Sequence, residues 1–423
     1  MTTLGESKRI NNSKINLVVI GHKDHGKSTL IGRLLYDSKA IHEQKLKEIY
    51  RELEQIGEEF QFAFLLDSLE EERRGGLTID IMHTPLKSQK NLYTIIDCPG
   101  HKEFIRKMLT GTSQADAAIL VVSVKERIQD QTRQHMFLAK MLGIQQLVIA
   151  VNKMDLVKYK IDPYLKTCNE LKPILTSLHY NHDISMVPIS AMKGDNVYNR
   201  TEKMKWYNGT TLIETLDQTI TPTSPPVNKP LRGVVHDVYT LENNQKIIVC
   251  RIETGTLKPE ESIIFNPSGK KGLLKKIIMS DAILKEAEPR DSVGLIIAGI
   301  DSIPRGEVLS HPENQPKIVK EFTAEVILLS NVPFENGDEV TIRYGTAEKK
   351  CQIKTILSEI DPINLTVCSK YPKKLKNESV GKVEFLPLEP LCIENYSEFP
   401  ELGRFIIKGK KGTAAAGIVL DTL

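Results

Sequence analysis

Cysteine is sparse in this chain, and what there is stands alone. The six cysteines among 423 residues (Cys98, Cys168, Cys250, Cys351, Cys368 and Cys392) include no CxxC pair. That spacing argues against a disulfide framework and a zinc cluster, and it favours a reducing compartment. Long apolar runs are missing too. LVVIG and AAILVV fall far short of the roughly 20 residues that cross a bilayer. The opening MTTLGESKRINNSK has no apolar core of the kind a secretory leader needs. The sequence reads as cytoplasmic, with no membrane partner. Strong charge of one sign is absent, since the net charge is only +3. A total that small neither demands nor excludes a polyanionic partner, because a basic face can hide within it. The Ser, His and Asp residues fit no nucleophile elbow.

The chain is long enough for two or three domains, and its style changes along its length. In the first half, apolar runs at 15–21, 92–100, 117–124, 146–155 and 186–196 alternate with helical stretches. Continuous apolar runs between helices predict a mostly parallel sheet with helices on both faces. In such sheets ligands gather at the C-terminal edge of the strands. The stretch TPTSPPVNKPLRG (221–233) carries four prolines, which disfavour helix and mark a linker. Beyond it, β-like runs such as KIIVCRIETG, SIIFNPSG, SVGLIIAG, FTAEVILLS, EVTIRYG, NLTVCS and KVEFLPL are bounded by Gly, Pro, Asn and Asp. This is barrel patterning, and about 190 residues suit two small barrels better than one. The predicted architecture is an α/β phosphate-loop domain over residues 1–224, then all-β barrels over 225–315 and 316–423, with HPENQPKIVK (311–320) as the seam.

The first polar motif is Gly21-His22-Lys23-Asp24-His25-Gly26-Lys27-Ser28, followed by Thr29. It fits G-x-x-x-x-G-K-[ST] completely and stands between a strand and a helix, where that pattern must stand. Backbone amides of such a loop cradle a β-phosphate, aided by the positive end of the helix. Lys27 brings a cation to the β- and γ-phosphates, and Ser28 a hydroxyl to Mg²⁺. Asp97-Cys98-Pro99-Gly100 follows another strand; Asp97 can reach the metal and the Gly100 amide can sense a γ-phosphate. Asn152-Lys153-Met154-Asp155 ends a further strand. An Asp carboxylate accepts two hydrogen bonds, one each from guanine N1 and N2, and adenine offers no such pair. Asp155 therefore selects guanine, and the cofactor reads as GTP/GDP with Mg²⁺. Ser190-Ala191-Met192 is similar to a last base-contacting loop, where a backbone amide meets guanine O6.

Taken together, GHKDHGKSTLIGRLL, FAFLLDSLEEERRGGLTIDI, IIDCPGHKEFIRKMLTGTSQADAAILVVS and AVNKMD resemble the translational GTPases of the elongation factor Tu and archaeal elongation factor 1-alpha type. WYNGTTLIETLDQ, KPLRGVVHDVY, RIETGTLKP and EPLCIENYSEFPELGRF extend the resemblance over nearly the whole chain. It implies a GTPase acting in protein biosynthesis, a G domain with two β-barrels, and as partners aminoacyl-tRNA, the ribosome and a guanine-nucleotide exchange factor. It also implies Thr78 as a switch threonine joining Mg²⁺ and His101 as the residue that positions the attacking water.

Several segments depart from that family. Lys23 stands where valine is usual. Arg74-Gly75-Gly76-Leu77-Thr78 replaces the usual ERGIT, and the extra glycine adds backbone freedom. Asn243-Asn244-Gln245-Lys246-Ile247-Ile248-Val249-Cys250 and Tyr344-Gly345-Thr346-Ala347-Glu348-Lys349-Lys350-Cys351 replace segments that in elongation factors face tRNA. GRLLYDSKAIHEQKL, the DQTRQH segment (130–135) and RYGT instead resemble the GTPase subunit of ATP sulfurylase. That resemblance implies a sulfurylase catalytic subunit as the alternative partner; a specialised paralogue binding another protein is a further alternative. Lysine-rich KKGLLKK (270–276), KYPKKLK (370–376) and KGKKG (408–412) read as surface loops that can meet RNA phosphates.

Overall fold

The computed structural model describes residues 14–41, 43–57, 60–65, 83–97, 115–141, 143–180, 184–222, 224–240, 246–279, 282–300, 302–329, 332–361, 366–376, 379–409 and 412–423. The chain divides into two compact units that change over between Thr223 and Ser224.

The first unit is a six-stranded sheet with helices. Its strands are β1 (Lys14–Gly21), β2 (His83–Lys87), β3 (Leu92–Asp97), β4 (Ala117–Ser123), β5 (Gln146–Asn152) and β6 (Met186–Pro188). Their order is β2-β3-β1-β4-β5-β6. All neighbours run parallel except β2, which is antiparallel to β3 at the sheet edge. The edge is where Pro85 can sit, because a proline has no N–H to give a second neighbour. All seven residues of β4 are buried, as expected of a strand covered on both faces. Leu17, Val19, Ile95, Ile119, Val121, Val148 and Ala150 share one core cluster, while Val18, Ile20, Ile96, Leu120, Val122, Ile149 and Val151 are equally buried on the other face. The helices are α1 (Lys27–Asp37), α2 (Glu43–Ile56), α3 (Asp130–Met141), α4 (Ile161–Ser177) and α5 (Leu212–Thr219). In α1, Leu30, Ile31, Leu34 and Leu35 form the stripe that enters the first cluster, the spacing of an amphipathic helix. A reciprocal capping box, Thr211 with Glu214, starts α5 and satisfies two otherwise orphaned backbone donors.

The second unit holds two closed antiparallel barrels. The first uses β7 (Arg232–Thr240), β8 (Lys246–Thr254), β9 (Ser262–Asn266), β10 (Lys270–Met279), β11 (Ala282–Leu284), β12 (Ser292–Ala298) and β13 (Val308–Ser310). Its ring runs β10-β12-β8-β7-β13-β9 and returns to β10, leaving β11 hung outside. KKGLLKK (270–276), read above as a loop, lies within β10. Its Leu274 is buried in the barrel core, so the lysines are the solvent face of a strand. The second barrel uses β14 (Phe322–Leu328), β15 (Phe334–Glu335), β16 (Glu339–Tyr344), β17 (Ala347–Asp361), β18 (Thr366–Lys370), β19 (Lys374–Leu375), β20 (Val380–Pro387), β21 (Arg404–Gly409) and β22 (Gly412–Thr422). Its ring is β16-β21-β22-β14-β20-β17, closed by the β16–β17 pairing, with β18 outside on β17 and β15 paired only with β19. Phe322 stacks on Phe385 at 5.1 Å, and Phe405 meets both edge-on at 5.8 Å inside the ring.

The two barrels are joined by buried chemistry. Arg232, 2% exposed, makes two parallel bonds to Glu394, Nε–Oε2 at 2.8 Å and Nη2–Oε1 at 2.9 Å, and its Nη1 donates to the Leu231 and Asn314 carbonyls. Its guanidinium lies 4.8 Å from the Phe399 ring centroid. Val234, Val308, Cys392, Phe399 and Leu402 form a small shared core. The Tyr344-Gly345-Thr346-Ala347 turn belongs to this joint. Thr346 Oγ1 donates to the Val235 carbonyl at 2.6 Å, and buried Tyr344 accepts the Cys392 N–H through its hydroxyl oxygen.

Candidate nucleotide site

The loop between β1 and α1 is shaped by backbone crowding at its two glycines. Gly21 has φ 144°, and a Cβ there would lie 2.3 Å from the Val121 carbonyl oxygen. Gly26, φ 91°, is the N-cap of α1, and a Cβ there would lie 2.5 Å from Asn152 Nδ2. Only glycine fits either place. Helix α1 therefore begins at Lys27 with its first amides and positive dipole end turned to the loop. Lys27 Nζ donates to the carbonyls of Gly21 (3.1 Å) and His22 (2.9 Å). Ser28 is exposed on the first turn and Thr29 half-buried beside it. Lys23 and Asp24 are exposed, Asp24 in the left-handed region at φ 63°.

Helix α3 braces the loop from outside. Gln131 Oε1 accepts the Lys23 N–H at 3.0 Å, and His135 Nδ1 accepts the Gly21 N–H at 3.3 Å. His25 points inward and is fully buried, with Nδ1 3.2 Å from the Val121 carbonyl oxygen. Burial pushes its pKa down to about 4 against the raising effects of Val121 and Glu126. The ring is thus neutral near neutrality, and the Val121 carbonyl selects the tautomer that carries its proton on Nδ1. His22 packs edge-on against it, centroids 5.1 Å apart.

The loops that follow β5 and β6 converge on Asn152. Buried at the end of β5, it donates Nδ2–H to the His25 carbonyl (2.9 Å), accepts the Ala191 N–H on Oδ1 (2.9 Å), and accepts the Val124 N–H on its own carbonyl (2.9 Å). One side chain thereby ties the phosphate loop, the β5 motif and the 190–192 loop together. Both ends of its amide, and the Ala191 N–H, are engaged within the protein. Lys153 is left-handed at φ 65° and its Nζ meets Glu126 Oε1 at 2.9 Å. The Lys153 ammonium holds the Glu126 carboxyl below the usual carboxylate range. The other oxygen of Glu126 lies 3.5 Å from His25 Nε2. Asp155 accepts Ser190 Oγ–H on Oδ1 at 2.6 Å. Met192, two residues after Ser190, is exposed. That loop is pinned from behind by Asp195, which accepts Tyr159 Oη–H (2.7 Å), Thr201 Oγ1–H (2.7 Å) and Lys203 Nζ–H (3.1 Å).

The structure brings Gly21, His22, Lys23, Asp24, His25, Gly26, Lys27, Ser28, Thr29, Asn152, Lys153, Asp155, Ser190, Ala191 and Met192 to the C-terminal edge of one sheet. Asp97 closes β3 in register with Val19, two residues before Gly21; its side chain lies outside what is described. Thr78, Cys98, Pro99, Gly100 and His101, the 74–77 segment and Asn243-Asn244-Gln245 lie outside the described residues. Sequence reasoning missed Glu126, Gln131 and His135. The only signal for the last two was the DQTRQH segment, which had served as a resemblance rather than as a brace.

Three families match the chain in order. Elongation factor Tu GTP binding domain covers residues 12–222, elongation factor Tu domain 2 covers 245–310, and the GTP-eEF1A C-terminal domain-like family covers 321–420. Elongation factor 1-alpha of Methanocaldococcus jannaschii is 43% identical over 421 residues, spanning 96% of this chain and 97% of its own length. That of Saccharolobus solfataricus is 42% identical over 421 residues with the same coverage. Among solved structures, Sup35 complexed with GDP matches at 24% identity and a TM-score of 0.45, covering 99% of this chain and 97% of that one.

Proposed function

The chain belongs to the elongation factor 1-alpha family of translational GTPases, and from that premise we propose how its residues hold and turn over GTP. It binds and hydrolyses GTP as that family does. The observation that carries the residue assignment is the Asn152 tie, because it fixes phosphate and base loops in one frame.

The amides of Gly26, Lys27 and Ser28, where the loop enters α1, receive the β-phosphate. Lys27 exchanges its two loop carbonyls for β- and γ-phosphate oxygens, a charge-assisted improvement. The exposed Ser28 hydroxyl is a hard oxygen donor suited to Mg²⁺, and with Thr78 and Asp97 it would hold the ion that neutralises charge on the β- and γ-phosphates. Asp155 turns its carboxylate to guanine N1 and N2, with Ser190 fixing the Oδ1 side. The aliphatic stem of Lys153 lies along the base, its ammonium steadied by Glu126. His101 orients a water whose oxygen bonds the γ-phosphorus while the bond from that phosphorus to the β–γ bridging oxygen breaks, giving GDP and phosphate. The Gly100 amide senses the γ-phosphate, with Pro99 beside it in the same motif.

The domain division we propose is 1–224, 225–315 and 316–423. Partners proposed are aminoacyl-tRNA, the ribosome and an exchange factor, in the cytoplasm; no described helix is long and apolar enough to cross a membrane. Relatives named elongation factor 1-alpha, over nearly the full chain, favour this over the sulfurylase alternative. The test is binding of the GTP-loaded and GDP-loaded protein to aminoacyl-tRNA and deacylated tRNA. Preference of the GTP form for aminoacyl-tRNA supports delivery; equal binding of all four combinations rejects it.

A further inference from the structure

We propose that residues 370–376 of the second barrel form an RNA contact of their own, with four lysines for phosphates and Tyr371 as a stacking platform for one base. The site lies on the appended strand β18 and the turn into β19, near the end of β17 remote from its hairpin with β16. Three observations carry it.

The first is charge left uncompensated. Of the three lysine-rich stretches, 270–276 has Lys275 paired to Glu260 at 3.2 Å and 408–412 has Lys408 paired to Glu348 at 2.9 Å. In 370–376, Lys370, Lys373, Lys374 and Lys376 are all exposed, and none forms an ion pair among the described residues. Glu335 faces Lys374 across the β15–β19 pair without closing on it. Unneutralised lysines this dense repel one another, and that repulsion is relieved when phosphates replace the counterions.

The second is Tyr371, 70% exposed. The third is its backbone, at φ 50°, a region bulky residues enter at a cost and retain where the surroundings demand it. The Tyr371 N–H is anchored to the Leu357 carbonyl on β17 at 2.9 Å, so the ring is presented from a fixed root among exposed lysines. An exposed aromatic among unpaired cations fits looped or single-stranded RNA, whose bases stack and whose phosphates pair with lysine. The choice of RNA over another polyanion rests on the translational reading above.

The test uses the full chain, a labelled oligouridylate, and phosphatidylserine vesicles as the competing polyanion. Replacing the four lysines by glutamine should flatten the dependence of log affinity for oligouridylate on log salt by up to about 3. The four-arginine variant should keep wild-type binding. Tyr371→Ala should weaken binding about tenfold with the salt slope unchanged, and Tyr371→Phe should not. Unchanged GTP binding and thermal unfolding verify that each variant is folded. Wild-type affinity in the four-glutamine variant, or a wild-type preference for vesicles over oligouridylate, overturns the proposal. GTP-dependent aminoacyl-tRNA binding is read separately on the same proteins. Its absence alongside patch-dependent oligouridylate binding removes the delivery reading and leaves this contact standing.

Discussion

Glu126 and Lys153 meet at 2.9 Å, carboxylate to ammonium, across the loops that follow β4 and β5. Lys153 comes from the base-recognition motif; Glu126 comes from a segment that matches no nucleotide motif. Both are partly exposed, so solvent screening limits the pair to about 0.5–1 kcal/mol. Glu126→Gln should therefore speed GDP release about two- to fivefold in a stopped-flow displacement experiment. In a Lys153→Met background it should add nothing further. Additive effects of the two substitutions would show that Glu126 acts elsewhere.

Asp155 is the residue proposed above to select the base. Asp155→Asn keeps the side-chain shape and the acceptor for Ser190 but loses the charge that meets guanine. GTP affinity should fall about a hundredfold, and xanthosine triphosphate, with its complementary acceptor, should bind better than to wild type. Calorimetric titration with both nucleotides checks this; undiminished GTP affinity contradicts the guanine assignment.

Lys23 is a second lysine in the phosphate loop, exposed and fixed through its N–H to Gln131. Its charge sits in the loop proposed to receive the phosphates. Lys23→Val should slow single-turnover GTP hydrolysis about fivefold, the scale of one solvent-screened charge, with little change in GTP affinity. Equal single-turnover rates would sink this reading of the lysine.

His25 makes the phosphate-loop unit acid-sensitive. Its pKa falls from 6.5 to about 4 on folding, so the native ring binds fewer protons than the unfolded one. Its effect on stability is absent above about pH 6.5 and grows as pH falls toward 4, destabilising by about 3 kcal/mol. Trp206 is the only tryptophan in the sequence and sits in the same unit, donating Nε1–H to the Tyr159 carbonyl. Its fluorescence during urea unfolding thus reports that unit alone. His25→Gln should lose about 3 kcal/mol less than wild type between those pH values; parallel pH curves would refute the assignment.

Arg232 and Glu394 join the barrels from a buried position. Glu394→Gln leaves a buried guanidinium without its counter-charge and should cost about 3–5 kcal/mol in unfolding of the barrel unit. Hydrogen exchange at β7 and β13 is the measurement. Protection there equal to wild type would mean that the apolar contacts alone hold the joint.

The nucleotide loops were legible because each demands fixed residue types at fixed spacing beside a strand end. Gly21 and Gly26 are readable since no other residue clears Val121 and Asn152. The tie that Asn152 makes was not readable, because its amide bonds His25 and Ala191 on two other loops. Glu126 and His135 were missed because their partners lie 27 and 114 residues away in sequence. In the barrels, the longest strand, β17, escaped notice. Bulges near Ile353 and Ile356 reverse the inside–outside parity along it and blur the period-two signal. β22 escaped for a different reason. Its two glycines and three alanines look unlike a strand, yet a Cβ on Gly417 would lie 2.5 Å from Phe405, so smallness there is what seats the aromatic core.

Ring closure also determines how this protein behaves when crowded. Each barrel hides the hydrogen-bonding rims of its six ring strands, so within the barrel unit strand-to-strand recruitment between copies falls to the strands outside the rings, β11, β18 or the short β15–β19 pair. The second ends in Lys370 and runs into lysines that repel a like neighbour. The first, Ala282–Leu284, carries Ile283 67% exposed and no charge of its own. Of the two appended strands that three-residue rim is the uncharged one, and a single lysine at position 283 is the change that would guard it.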